Sequence, residues 1–236
     1  MDLTLENHLT ELWSEILNCN LCKMPKNCKP HFRPVGKLYE IGGVAFLQIN
    51  PGIAGFISKS DIDEKYKSDR TKEIALKKQR STEEINLYLN NFQNNPCKDS
   101  WERMSDAFLS AMKESWGWPP GKYRKTIERH LEKTEVSFNS LAFLNLMQCP
   151  VKGNKYNNKY ISKCWSKNTI ELLRTLKPRV IIAQGRKAYS FLINQSDDFF
   201  KNVKILEGVH HASRKKTEYN QKIFDRVSKY INDIRN

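Results

Sequence analysis

Apolar residues recur along the chain with two periods, and the periods alternate. Leu5, Leu9, Leu12, Trp13, Ile16 and Leu17 step by three and four, as on one face of a helix. Val44-Ala45-Phe46-Leu47-Gln48-Ile49 is a short apolar run closed by Asn50-Pro51-Gly52, which predicts a buried strand ending in a turn. Residues 57–80 are crowded with charge and show little period, as in a solvated excursion. Ser81-Thr82-Glu83-Glu84 has the spacing of a capping box, so a helix is expected to begin there and run toward Phe92. Trp101, Met104, Phe108, Leu109 and Met112 mark another amphipathic helix, with Ser100 as its candidate N-cap. Trp116-Gly117-Trp118-Pro119-Pro120-Gly121 breaks it.

A second buried strand lies within 138–147, centred on Leu141-Ala142-Phe143-Leu144. A helical pattern follows over Ile161 to Leu176. Arg179-Val180-Ile181-Ile182-Ala183 reads as a third strand, turned at Gly185 into a short helix through Leu192. Val203 to Leu206 is a fourth, and Ile223, Phe224, Val227, Tyr230, Ile231 and Ile234 predict a C-terminal helix. Strands alternating with helices indicate an α/β fold: one domain over 1–236, a central, mostly parallel sheet flanked by helices, and a charged insertion at about 57–100. Ligands of such sheets bind at the carboxyl ends of the strands, which places the chemistry just after Ile49, Leu144 and Leu206.

Composition adds a partner class. Hydrophobic residues make up 39% of the 236, which suits a globular core rather than disorder. Forty Lys and Arg stand against 26 Asp and Glu, a net charge of +14, so a polyanion is expected, with nucleic acid first. No apolar run is long enough for a membrane span, and the N-terminal residues do not read as a signal peptide. The expectation is a cytoplasmic protein with no membrane partner. In that compartment six cysteines read as metal ligands or free thiols rather than disulfides. Cys19-Asn20-Leu21-Cys22 is a CxxC, and Cys149 and Cys164 form a second pair. Four thiolates can hold a tetrahedral zinc or an iron–sulfur cluster, although a CxxC alone also fits unligated thiols. Cys28 and Cys97 have no such spacing.

These segments resemble a family. Cys19-x-x-Cys22 looks like the opening of the iron–sulfur uracil-DNA glycosylases, the family-four branch. Asn145-Leu146-Met147-Gln148-Cys149-Pro150 is similar to that branch's Asn-x-x-Lys-Cys segment, with Gln148 in place of the Lys and a Pro directly after the Cys. Lys177-Pro178-Arg179-Val180-Ile181-Ile182-Ala183-Gln184-Gly185 resembles its Lys-Pro-x-Val-Ile-x-x-x-Gly strand and turn. The resemblance spans most of the chain outside about 57–100. It implies a uracil-DNA glycosylase-like fold and a structural [4Fe-4S] cluster on Cys19, Cys22, Cys149 and Cys164.

The resemblance also assigns an active site. Family four has Glu-Ala-Pro-Gly after its first strand. Gln48-Ile49-Asn50-Pro51-Gly52 looks instead like the Gly-Ile-Asn-Pro-Gly of the mismatch-specific branch or the Gly-Met-Asn-Pro-Gly of the single-strand-selective branch, in which the Asn positions a water. Breaking an N-glycosidic bond builds positive charge on the sugar and negative charge on the leaving base, and a side-chain carbonyl can aim the water. Read alone, Asn-Pro-Gly is an ordinary turn. Asn145 would read the flipped base, since an amide both donates and accepts. Val209-His210-His211-Ala212-Ser213 stands where the superfamily has His-Pro-Ser or His-Pro-Ala. His211 is favoured as the group donating to the base oxygen, with His210 kept open. Arg214, Lys215 and Lys216 would hold phosphates. Phe56 is the nearest aromatic to stack on the base, with Trp101 as a second candidate.

Eight Lys and Arg against five Asp and Glu over 58–80 fit either a DNA-facing lid or a solvated ornament. The reading is a monomeric, monofunctional DNA glycosylase acting on a flipped uracil or modified pyrimidine in double- or single-stranded DNA. Two alternatives stay open: a phage-defence glycosylase excising glucosylated hydroxymethylcytosine, and a non-catalytic iron–sulfur nucleic-acid-binding module.

Overall fold

Four five-residue strands build the sheet: β1 (Val44–Gln48), β2 (Leu141–Asn145), β3 (Val180–Gln184) and β4 (Lys204–Gly208). The computed structural model describes residues 3–21, 30, 35–49, 62–63, 68–116, 120–149, 158–213 and 218–234. All pairings among the four strands are parallel, in the order β2-β1-β3-β4. From β1 the chain crosses to β2 on one side, and from β3 to β4 on the other. The connections therefore part between β1 and β3, where open α/β sheets form a crevice at their carboxyl edge. Each predicted strand is present, and the α/β expectation holds.

Side-chain alternation gives the sheet two buried faces. Ala45, Leu47, Ala142, Leu144, Ile181 and Ala183 point to the first. It is covered by α1 (Leu3–Leu17), α2 (Asp69–Asn94), most of the apolar stripe of α3 (Lys98–Glu114) and the later helices around Leu172 and Leu192. Val44, Phe46, Leu141, Phe143, Val180, Ile182 and Leu206 point to the second. There α4 (Lys122–His130) and the C-terminal α8 (Glu218–Asp233) pack against them. The remaining helices are α5 (Asn158–Cys164), α6 (Ile170–Leu176) and α7 (Arg186–Ile193). Among the described residues, no helix is long and apolar enough to cross a membrane.

Three sequence expectations need correction. α2 begins at Asp69, capped by the Ser68 hydroxyl, which accepts from Thr71 N–H, and not at Ser81. Ser81 and Thr82 lie mid-helix, where their hydroxyls donate to the carbonyls of Lys77 and Lys78 instead of capping. The first half of α2 escaped notice because it buries little more than Ala75 and Thr82, too weak an apolar stripe to read in a charged segment. For α3 the N-cap is Cys97; Ser100 sits at the third helical position and accepts from Cys97 N–H through its hydroxyl. The helix expected over 161–176 runs from Asn158 and is interrupted by a π-helical turn, Trp165–Thr169.

Candidate active site at the carboxyl edge of the sheet

The last residues of three neighbouring strands are amides. Gln48 ends β1, Asn145 ends β2 and Gln184 ends β3. Gln48 pairs in register with Asn145, and Leu47 with Ala183, so the three form one row across the sheet. Alternation from Phe46, Phe143 and Ile182 turns all three side chains to the second face. Tyr123, which lines that face from α4, donates its hydroxyl to Gln184 Oε1 at 3.2 Å. All three amides are buried: Asn145 is 0% exposed, Gln184 1% and Gln48 4%. Among the described residues, each retains polar atoms without a hydrogen-bond partner: Gln48 Oε1, Gln184 Nε2, and both Asn145 Nδ2 and Oδ1. A buried amide left this way costs about 1–3 kcal/mol, so a row of them is kept against stability.

The backbone behind Asn145 is fixed. Its carbonyl accepts from Gln148 Nε2 at 2.8 Å and from the Thr169 hydroxyl at 2.9 Å. Gln148 Nε2 also donates to Thr169 Oγ1 at 3.1 Å. Gln148 is the residue that departs from the family-four Lys, and it ties the end of β2 to the π turn.

The row continues to Gly208, in register with Gln184 on β4. A Cβ there would lie 2.5 Å from Ile182 Cγ2 and 3.2 Å from His130 Nε2, so only glycine lets the imidazole settle over the sheet. His130 is fully buried at the end of α4. Val209 N–H donates to its Nε2 at 2.8 Å, and its Nδ1 stands 2.7 Å from the Thr126 carbonyl. Nδ1 therefore carries the proton and the ring is neutral; burial pushes its pKa down to about 4. His130 so anchors the backbone one residue before the histidine pair. Lys122 Nζ donates to the Ser213 carbonyl at 3.1 Å and holds the far side of the same loop.

Within that loop His210 and His211 stack, with ring centroids 4.2 Å apart. His211 rests edge-on against Tyr123 at 4.8 Å, beside the amide row. His210 lies over Gly185, whose φ of +94° brings the β3–α7 turn close; a Cβ there would meet His210 Cβ at 3.3 Å. Ala212 N–H donates to His210 Nδ1 at 3.1 Å. Burial, helped by the Lys122 charge, holds the His210 pKa below its ordinary value, which leaves a neutral ring with its proton on Nε2.

Three of the four proposed thiolate ligands are described, and Cys19, Cys149 and Cys164 are all buried. Asn168 on the π turn donates through Nδ2 toward Cys19 Sγ at 3.7 Å and Cys164 Sγ at 3.6 Å. Gln148 N–H donates to Cys164 Sγ at 3.2 Å, from the residue before Cys149. Hydrogen-bond donors directed at sulfur are of the kind found around the sulfur ligands of clusters. Among the described residues themselves, no group of three or more His, Cys, Asp or Glu is close enough together to hold a metal ion.

Asn50, Phe56, Arg214, Lys215, Lys216 and Cys22 lie outside the described residues. Of the others, the structure gathers Asn145, His210 and His211 at the carboxyl edge. Trp101 is core on the opposite face and no stacking candidate. Sequence reasoning missed Gln48 and Gln184 as site residues, and missed Tyr123 and His130 altogether. Tyr123, Thr126, Ile127 and His130 do have helical spacing, but two of the four are polar and the stripe does not read as apolar.

The fold and the edge define an α/β protein of the open parallel-sheet class, with buried amides ending the strands on both sides of its switch point. The chain matches no protein-family model and no curated protein sequence.

Proposed function

We propose that this chain is a monofunctional DNA glycosylase that hydrolyses the N-glycosidic bond of a flipped uracil or modified pyrimidine. The observation that carries the reading is Asn145: a fully buried side chain on a pinned backbone, with neither amide atom paired among the described residues, in a row of amides whose other end, Gln184, bonds Tyr123 beside His211. A base turned into the crevice would accept from Asn145 Nδ2 and donate its ring N–H to Oδ1, which removes the burial penalty only when substrate is present. As the bond to the sugar breaks, negative charge collects on the base oxygens. His211 would donate a hydrogen bond there, held against Tyr123. A neutral imidazole suffices, because the task is to stabilise charge and not to transfer a proton to a strong base.

Asn50, two residues beyond the end of β1, would orient the attacking water through its carbonyl. Among the described residues no lysine is placed as a Schiff-base nucleophile, so strand cleavage is not expected. Cys19, Cys22, Cys149 and Cys164 would hold a [4Fe-4S] cluster, whose contribution is to tie the N-terminal segment to the loop after β2. Arg214, Lys215 and Lys216 would clamp phosphates next to the histidine loop, and the protein would act as a monomer on DNA.

Base release from oligonucleotides carrying uracil, hypoxanthine or a modified cytosine tests the reading. Asn145→Leu is expected to lower release at least about 100-fold while leaving thermal stability equal or higher, because it removes unpaired buried polar atoms. Release that survives in Asn145→Leu, or a variant that loses fold and activity together, contradicts it.

A further inference from the structure

The histidine loop is held together by its own bonds. Ser213 N–H donates to the His210 carbonyl at 2.8 Å, the closing bond of a β-turn, and Ala212 N–H donates to His210 Nδ1 at 3.1 Å. Where the two imidazoles stand is therefore decided where the turn is attached. Its entry is the peptide between Gly208 and Val209. The carbonyl of that peptide accepts from Gly185 N–H at 2.8 Å, and its N–H donates to His130 Nε2 at 2.8 Å. A trans peptide points these two groups in opposite directions, so the last peptide plane before the histidines is gripped from both sides.

His130 is itself fixed so as to present that one acceptor. Its Nδ1 donates to the Thr126 carbonyl at 2.7 Å, which sets the tautomer and leaves a lone pair on Nε2. The rings of Phe46 and Phe224 stand edge-on to it at 5.6 and 4.5 Å. Ser228 Oγ donates to the His130 carbonyl at 2.9 Å and holds its backbone. Packing alone asks for none of this, because an apolar side chain would fill the space between two phenyl rings with no buried polar atom to satisfy. What the imidazole adds is a fixed lone pair for the entry of the turn. We infer that His130 is a positioning residue for base release: it sets where His210 and His211 stand against the leaving base without touching the substrate itself.

The inference rests on the glycosylase reading for its reaction, and it predicts that release and binding separate. The substrate is whichever of the uracil, hypoxanthine and modified-cytosine oligonucleotides the wild type cleaves; the binding probe is the same base on 2′-fluoro-arabinose, which resists hydrolysis. In His130→Met, single-turnover release is expected to fall about 100-fold while Kd for the probe stays within about twofold, because a displacement near 1 Å suffices for the first and leaves the second. His130→Asn keeps a donor for Thr126 but falls short of Val209, and is expected to behave as His130→Met. His130→Gln, whose Oε1 can accept in place of Nε2, is expected to keep release within about tenfold of the wild type. The ring resonances of His210 and His211 in 15N-labelled protein are expected to move in the Met and Asn variants and to stay in place in His130→Gln. Near wild-type release with unmoved resonances in a folded Met or Asn variant, or parallel loss of binding and release, overturns the proposal. Unfolding of all three variants also overturns it, since His130 would then serve the fold alone. If the wild type releases no base from any of the oligonucleotides, the glycosylase reading falls, and the ring resonances decide by themselves whether His130 places the pair.

Discussion

At the scale of single residues, the site is built from groups that structure alone would not retain. Asn145, Gln48 and Gln184 keep polar side-chain atoms unpaired among the described residues, while both ring nitrogens of His130 are satisfied. The contrast separates proposed roles: the amides would be satisfied by a ligand, and the satisfied imidazole holds backbone. His130 also makes stability depend on pH. Its folded pKa is about 4, below the ordinary value of 6.5, so the fold resists protonation. The stability it contributes is complete above the unfolded value and is lost as pH falls from about 6.5 toward 4, up to roughly 3 kcal/mol. Urea unfolding at pH 7 and pH 4.5 is expected to show that loss in the wild type and a smaller one in His130→Gln. An equal loss in both would mean that other groups set the acid limit. Of these residues, Asn145 and the histidine pair were legible in sequence, because each follows an apolar run and resembles a known motif. Gln48 and Gln184 were not. A glutamine at the end of an apolar run looks like the point where the strand meets water, and only strand order and register show that the two lie beside Asn145.

At the scale of elements, apolar runs located β1, β2 and β3, because five consecutive buried positions leave few other readings. Helices were less legible where charge dominated. α2 was half missed and α4 wholly, yet α4 supplies Tyr123, His130 and Lys122 to the site. The π turn was also invisible, since an extra residue in a helix leaves no compositional mark. It nevertheless carries Asn168 toward two cysteine sulfurs and Thr169 onto the Asn145 carbonyl. One element thus braces both the thiols and the end of β2 that carries Asn145, and π turns of this kind recur at functional sites. Thr169→Val removes the hydroxyl from the Asn145 and Leu146 carbonyls and from Gln148. It is expected to cost about 1–3 kcal/mol in denaturant unfolding, with Thr169→Ser restoring most of it. A valine variant as stable as the wild type would remove the brace from the account.

At the scale of the whole molecule, the sheet order puts the three amides and the histidine loop on one carboxyl edge, with the buried cysteines behind β2. Under the proposed function, the excess of positive charge would serve to hold the phosphates of the polyanion whose base is turned out. If the four cysteines hold a cluster, purified protein is expected to be brown, with broad visible absorption that Cys164→Ser bleaches; a colourless protein loaded with zinc would contradict that assignment. The claim on which the rest depends is base release. Mass spectrometry of the bases set free from several natural DNAs, phage DNA included, tests it most directly. The account predicts a free pyrimidine in the wild-type reaction and none with Asn50→Ala or Asn145→Leu. No released base from any DNA, or equal release by those variants, would contradict it.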